Sequence, residues 1–148
     1  MTDDLKCDVL IVEDDVLQCE EMAGFLGRAG LSVQMAHNGS SGLRQAADFR
    51  PRVALLDFNL PDTTGVEVAE KLRELLPQTA IIMMSGRIDG LSEQVLQSIG
   101  ITAFVNKPLP IGALRQAVLR LARSAPVDQI AHQQQKGWLS AGFGGTRH

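Results

Sequence analysis

The 148-residue chain has little of what several large functional classes need. Basic residues are not in surplus: 14 Lys and Arg face 17 Asp and Glu, a formal net charge of -3, so the electrostatic footprint of a nucleic-acid binder is missing. The three histidines, His37, His132 and His148, are scattered and offer no metal-ligand spacing. Two cysteines, Cys7 and Cys19, are too few for a disulfide framework, and without an export signal they read as reduced thiols. The opening Met1-Thr2-Asp3-Asp4 is acidic where a secretory leader is basic, and no apolar run reaches membrane-spanning length. No internal repeat is evident. These absences predict a cytoplasmic chain with neither nucleic acid nor membrane as partner.

What is present is an ordinary globular composition, 45% apolar, sufficient for one domain with one sizeable core. Short apolar runs alternate with amphipathic stretches five times, the pattern of an α/β fold. Strands are predicted near 7–13, 32–36, 52–57, 79–84 and 101–105. Helices are predicted near 16–29, 39–49, 65–75, 89–98 and 111–123. Gly30, Pro51, Pro77 and Gly100 punctuate the first four helices. Four strands are continuous apolar runs, as parallel strands covered on both faces should be, whereas Ser32-Val33-Gln34-Met35 alternates and belongs at an edge. The expected fold is therefore a five-stranded parallel sheet of order 2-1-3-4-5, doubly wound and flavodoxin-like, with its crevice at the carboxyl ends of strands one and three. Residues 1–124 form this domain. Residues 125–148, with Pro126, Gln133-Gln134-Gln135 and the glycines 142, 144 and 145, read as a tail that is flexible or holds a short helix over Val127–Gln135, with no effector domain.

Chemistry-bearing residues collect at the strand ends. Asp57 closes Val53-Ala54-Leu55-Leu56, at the lip of a buried strand, and is expected to face solvent as a phosphoryl acceptor. Glu13-Asp14-Asp15 closes Val9-Leu10-Ile11-Val12, Ser85 closes Ile81-Ile82-Met83-Met84, and Lys107 follows Ala103-Phe104-Val105. Any one of these has a plain reading: a turn acid, a helix N-cap (Asp15 above all), a turn serine, a solvated lysine. Four together on one edge of a sheet make a site. Clustered carboxylates repel one another and an incoming phosphate, which a hard divalent cation resolves; Mg²⁺ takes oxygen ligands. Asp14 and Asp57 are the expected direct ligands, with the Asn59 carbonyl a third and Glu13 acting through water. Lys107 and Ser85 can engage phosphoryl oxygens. Arg115, Arg120 and Arg123 are expected on a solvated face, and Gly142-Phe143-Gly144-Gly145 lacks the flanking strand and helix of a phosphate loop.

Val9-Leu10-Ile11-Val12-Glu13-Asp14-Asp15, Asp57-Phe58-Asn59-Leu60-Pro61 with Gly65, Met83-Met84-Ser85-Gly86 and Val105-Asn106-Lys107-Pro108 resemble, in order and spacing, the bacterial response-regulator receiver domains of two-component signalling, the CheY-like fold. The resemblance covers about residues 5–124. It implies that Asp57 is phosphorylated from a phosphohistidine on a sensor histidine kinase or histidine phosphotransfer protein. It also implies that Glu13 and Asp14 are the acidic metal pair, Ser85 the switch hydroxyl, Phe104 the aromatic switch and Lys107 the family's lysine. The Lys107–Pro108 bond resembles one that is cis in the family. Asn59 and Arg87 lie where the family tunes hydrolysis of the acyl phosphate. A downstream protein would bind the face of the fourth helix, fifth strand and fifth helix, with Leu91, Val95 and Ala113 as contributors; a homodimer is left open.

The resulting expectation is a phosphorylation-controlled switch, not an enzyme beyond its own phosphoryl transfer and dephosphorylation. The alternative is a receiver fragment of a larger regulator with an effector domain, for example a DNA-binding one. A hydrolase of the haloacid-dehalogenase kind would need a second Asp where Asn59 stands.

Overall fold

In the computed structural model, which describes residues 6–86, 93–108 and 110–123, strands and helices alternate along the chain. They are β1 (Val9–Val12), α1 (Val16–Arg28), β2 (Val33–Ala36), α2 (Gly39–Phe49), β3 (Val53–Asp57), α3 (Gly65–Leu75), β4 (Ala80–Ser85), α4 (Glu93–Ser98), β5 (Ala103–Asn106) and α5 (Ile111–Arg123). All pairings are parallel and the order is β2-β1-β3-β4-β5, as expected. The alternating second strand does lie at an edge, paired only to β1. The predicted start of the fourth helix, with Arg87 and Leu91, and the whole tail with Trp138 and Phe143 lie outside the described residues. No helix among the described residues is long and apolar enough to cross a membrane.

The continuous apolar strands make sense because successive side chains leave a strand on opposite faces. Val9, Ile11, Leu55, Ile82 and Met84 join Met22 and Leu26 of α1 and Leu114 and Val118 of α5 in one core. Leu10, Val12, Leu56, Ile81 and Met83 join Ala46 of α2, Val68 and Leu72 of α3 and Leu96 of α4 in the other. Each fully buried aliphatic side chain in these layers contributes roughly 1.5–3 kcal/mol. The sheet is thereby held rigid from both sides.

The helix ends are built from local chemistry. Asp15, Asn38 and Thr64 cap α1, α2 and α3, each accepting from a backbone N–H three residues on. Gly30 and Gly100 adopt the left-handed backbone that closes a helix, with φ of 93° and 88°. Arg50 does the same after α2 at φ 49° without being glycine. Pro51 behind it disfavours the right-handed helical region, which steers Arg50 out of the helix.

One expectation about surfaces needs correction. Arg115 is not on a solvated face: it is half-buried, with its guanidinium 5.8 Å from the Phe25 ring centroid, because α5 packs beside α1. Ala113 is exposed, which leaves it accessible on α5.

Candidate functional site

Strand register brings the predicted residues together. Val12 pairs with Leu56, so Glu13 emerges beside Asp57; Asp57 pairs with Met84, so Ser85 is one step further along; Ser85 pairs with Asn106, and Lys107 is next. The backbone N–H of Lys107 donates to the Ser85 carbonyl at 2.8 Å. The Lys107–Pro108 peptide is cis, in agreement with the resemblance.

Glu13, Asp14 and Asp57 form one acidic cluster, with a carboxylate oxygen from each within 4.8 Å of the others. Asp14 is exposed, but Asp57 is only 6% exposed and Glu13 only 1%. The expectation that Asp57 faces solvent is therefore wrong. It is the last residue of β3, and Lys107 lies against it, with Nζ 3.4 Å from Asp57 Oδ2 and 2.8 Å from Glu13 Oε1. Asp57 Oδ1 accepts from the Asn59 N–H at 3.2 Å, so both carboxylate oxygens are held. Asp15 serves as a cap, with its own N–H donating to Glu13 Oε2 at 3.1 Å.

Burial pushes the Glu13 carboxyl above its ordinary range; the hydrogen bonds from Lys107 and the Asp15 N–H oppose this, and Asp57 adds to it. Burial draws the Lys107 ammonium down, but its bonds to Glu13 and Asp57 and their charges outweigh that and leave it raised. The cluster is thus a buried acid pair with one counter-cation, already short of neutrality and further from it once Asp14 is counted. Three carboxylates converging on one point, all hard oxygen donors, fit a small divalent cation such as Mg²⁺.

Ser85 is fully buried at the end of β4. Phe104 is half-buried and packs against the core under α3 and α4. Asn59 is exposed and bridges to Thr64 across the β3–α3 loop. The side chain of Val95 lies outside the described residues. Sequence reasoning missed Asp62, whose carboxylate accepts from the N–H groups of Gly39 and Ser40 at 2.7 and 3.0 Å and is held below the ordinary carboxylate range by them. It also missed His37, with Nδ1 3.0 Å from the Glu13 carbonyl oxygen. Only an acid after a proline and a polar residue at a strand end hinted at them, since both contacts are non-local.

The fold and this edge define a doubly wound domain whose acids, hydroxyl and lysine meet at the carboxyl ends of its strands. Residues 9–119 match the model of the response regulator receiver domain, and the chain belongs to that family. It is 38% identical over 115 residues to an uncharacterized transcriptional regulatory protein, YkoG, of Bacillus subtilis, covering 74% of this chain and 48% of that protein. It is 33% identical over 125 residues to the transcriptional activator protein ExaE of Pseudomonas putida, covering 82% and 58%. A CheY-like receiver domain protein from Methanospirillum hungatei superposes with a TM-score of 0.74 at 25% identity, over 89% of this chain and 99% of that one. The chain thus spans about half the length of these two curated relatives.

Proposed function

We propose that Asp57 is the phosphoryl acceptor of this receiver domain, in a cytoplasmic two-component relay. The donor would be a phosphohistidine on a sensor histidine kinase or a histidine phosphotransfer protein. The observation that carries this is the placement of Asp57 in the acidic cluster with Lys107 3.4 Å away. A carboxylate oxygen of Asp57 attacks phosphorus, a P–O bond forms, the P–N bond breaks, and the imidazole leaves with the electron pair. The Asn59 N–H on Oδ1 orients the attacking group beforehand. Lys107 shifts its hydrogen bond from Asp57 to a phosphoryl oxygen, and the Ser85 hydroxyl supplies another donor. Asp14, Asp57 and the Asn59 carbonyl would hold Mg²⁺ directly, and Glu13 would hold it through water. Bound there, Mg²⁺ neutralises charge on the acids and on the transferring group.

Ser85 and Phe104 are the proposed switch. They favour one of two arrangements of β4, β5 and α4 once the phosphoryl group offers Ser85 a new acceptor. The α4–β5–α5 face would then bind a protein target. Beryllofluoride in Mg²⁺ tests the acceptor. Wild type should bind this phosphoryl mimic and Asp57→Asn should not; equal binding by both overturns the reading. The names and lengths of the relatives support a second reading, in which the receiver controls an effector in a larger regulator. Extending the gene beyond the codon for His148 tests that one.

A further inference from the structure

Gly39, Ser40 and Ser41 open α2 with backbone N–H groups that no carbonyl of the helix can accept. Asn38 covers one, its Oδ1 accepting from the Ser41 N–H at 2.8 Å. The other two are covered from the β3–α3 loop: Asp62 Oδ1 accepts from Gly39 at 2.7 Å and Oδ2 from Ser40 at 3.0 Å. Both oxygens of one carboxylate are thus engaged at the positive end of a helix that already has a local cap. The contact ties two segments together.

The first segment is the loop itself. It is closed at its base, where Gly65 N–H donates to the Phe58 carbonyl and Leu60 N–H to the Thr63 carbonyl, and Asn59 bridges to Thr64. One end is Asp57; the outer turn is Asp62. The packing against α2 is close, because a Cβ on Gly39 would overlap the Thr63 methyl and press on Val68. The second segment is the corner between β2 and α2. It holds Glu13 from two sides: Glu13 N–H donates to the Ala36 carbonyl at 3.0 Å, and His37 Nδ1 lies 3.0 Å from the Glu13 carbonyl. The contacts therefore close a ring running Glu13, His37, Gly39, Asp62, Asn59, Asp57, Lys107 and back to Glu13.

We infer that Asp62 is a positioning residue for the metal centre: by fastening the loop that carries Asn59 to the corner that holds Glu13, it fixes the spacing of the ligand set. This rests on the reading of Asp57 and its neighbours as a Mg²⁺ site. Asp62 touches no ligand atom of the cluster, and its effect is felt through Asn59 and the loop.

The test is a Mg²⁺ titration of the full chain, by calorimetry, for wild type, Asp62→Ala, Asp62→Asn and Asn38→Ala. Asp62→Ala should weaken Mg²⁺ about tenfold, the low end for outer-shell supports of a metal. Asp62→Asn keeps one acceptor and should fall between Asp62→Ala and wild type. Asn38→Ala strips the local cap of α2 but leaves the tie, so it should cost stability while Mg²⁺ affinity stays within about twofold of wild type. In metal-free protein the Gly39 and Ser40 amides should exchange faster in Asp62→Ala. Wild-type Mg²⁺ uptake with Asp62→Ala unchanged overturns the tie alone, as does an equal loss in Asn38→Ala. Failure of wild type to take up Mg²⁺ overturns the tie and the metal reading together.

Discussion

Lys107 donates from Nζ to Glu13 Oε1 at 2.8 Å, joining the end of β5 to the end of β1 across β3 and β4. Glu13 is buried, and this bond opposes the rise that burial imposes on its carboxyl.

Removing the amine should therefore cost stability in a way a cation can repair. Lys107→Ala is expected to lose about 2 kcal/mol in Mg²⁺-free buffer, below the 3–5 kcal/mol of fully buried pairs because the lysine keeps some exposure. Saturating Mg²⁺ should recover most of that loss, so the stabilisation by Mg²⁺ is larger in the variant than in wild type. Urea unfolding with and without the metal measures both. The folded amine titrates above its ordinary 10.5, so its contribution is complete below that value and is lost as pH rises through the raised one. The difference between wild type and variant should hold through neutral pH and shrink in strong alkali.

Glu13 has the opposite consequence. Its carboxyl is raised, chiefly by burial, so the fold favours its protonated form and is penalised as pH rises through the raised value. Glu13→Gln should accordingly be more stable than wild type at pH 7 without Mg²⁺, by roughly 1 kcal/mol, because a neutral isostere replaces a desolvated charge. The advantage should fade as pH drops and wild-type Glu13 takes up its proton. Thermal melts across pH 4–8 in chelator check this, and a variant less stable than wild type at every pH would contradict it.

Gly65 follows the Thr64 cap directly under Asp57. A Cβ there would lie 2.5 Å from the Asp57 carbonyl oxygen and 2.8 Å from Met83 Sδ. The thioether can swing away, but the backbone of β3 cannot. Gly65→Ala should cost about 1–3 kcal/mol as overpacking does, and it should displace Asp57 enough to weaken beryllofluoride binding. Gly112→Ala, with open space around its Cβ, is the control and should change neither.

The strands and the meeting of Glu13, Asp14, Asp57, Ser85 and Lys107 were legible because they follow from periodicity and from parallel register, which are local rules applied several times. Asp15 announces the first helix for the same reason. The burial of Asp57 was not legible, since it depends on Lys107, fifty positions away, reaching back over the strand end. Arg50 occupies a position where glycine is the usual choice, and only the following proline explains it. Arg115 looked solvated because a helix pattern does not say which neighbouring helix offers an aromatic ring; Phe25 does. Asp62 escaped because its partners, Gly39 and Ser40, become neighbours only after β2 and β3 have both paired with β1.

If Asp57 accepts a phosphoryl group from a donor protein, as proposed, the first turn of α1, two residues after Asp14 of the acidic cluster, is a surface that donor can meet, and it is unusually apolar. Leu17 is 71% exposed and Val16 47%, immediately after Asp14 and the Asp15 cap. Such side chains do nothing for the core, but near the proposed acceptor they would suit an apolar patch on a phosphohistidine donor. Leu17→Glu should leave stability within about 0.5 kcal/mol of wild type, as surface changes do. Labelling by acetyl phosphate should also be unchanged, because that donor needs only Asp57 and its neighbours. Phosphotransfer from the cognate kinase should slow about tenfold, equivalent to losing roughly 1.4 kcal/mol from one apolar anchor. Leu75, 48% exposed at the far end of α3, offers the matched control, and Leu75→Glu should leave both donors unaffected. Equal slowing with both donors would place the Leu17 effect in the acceptor chemistry and not in docking.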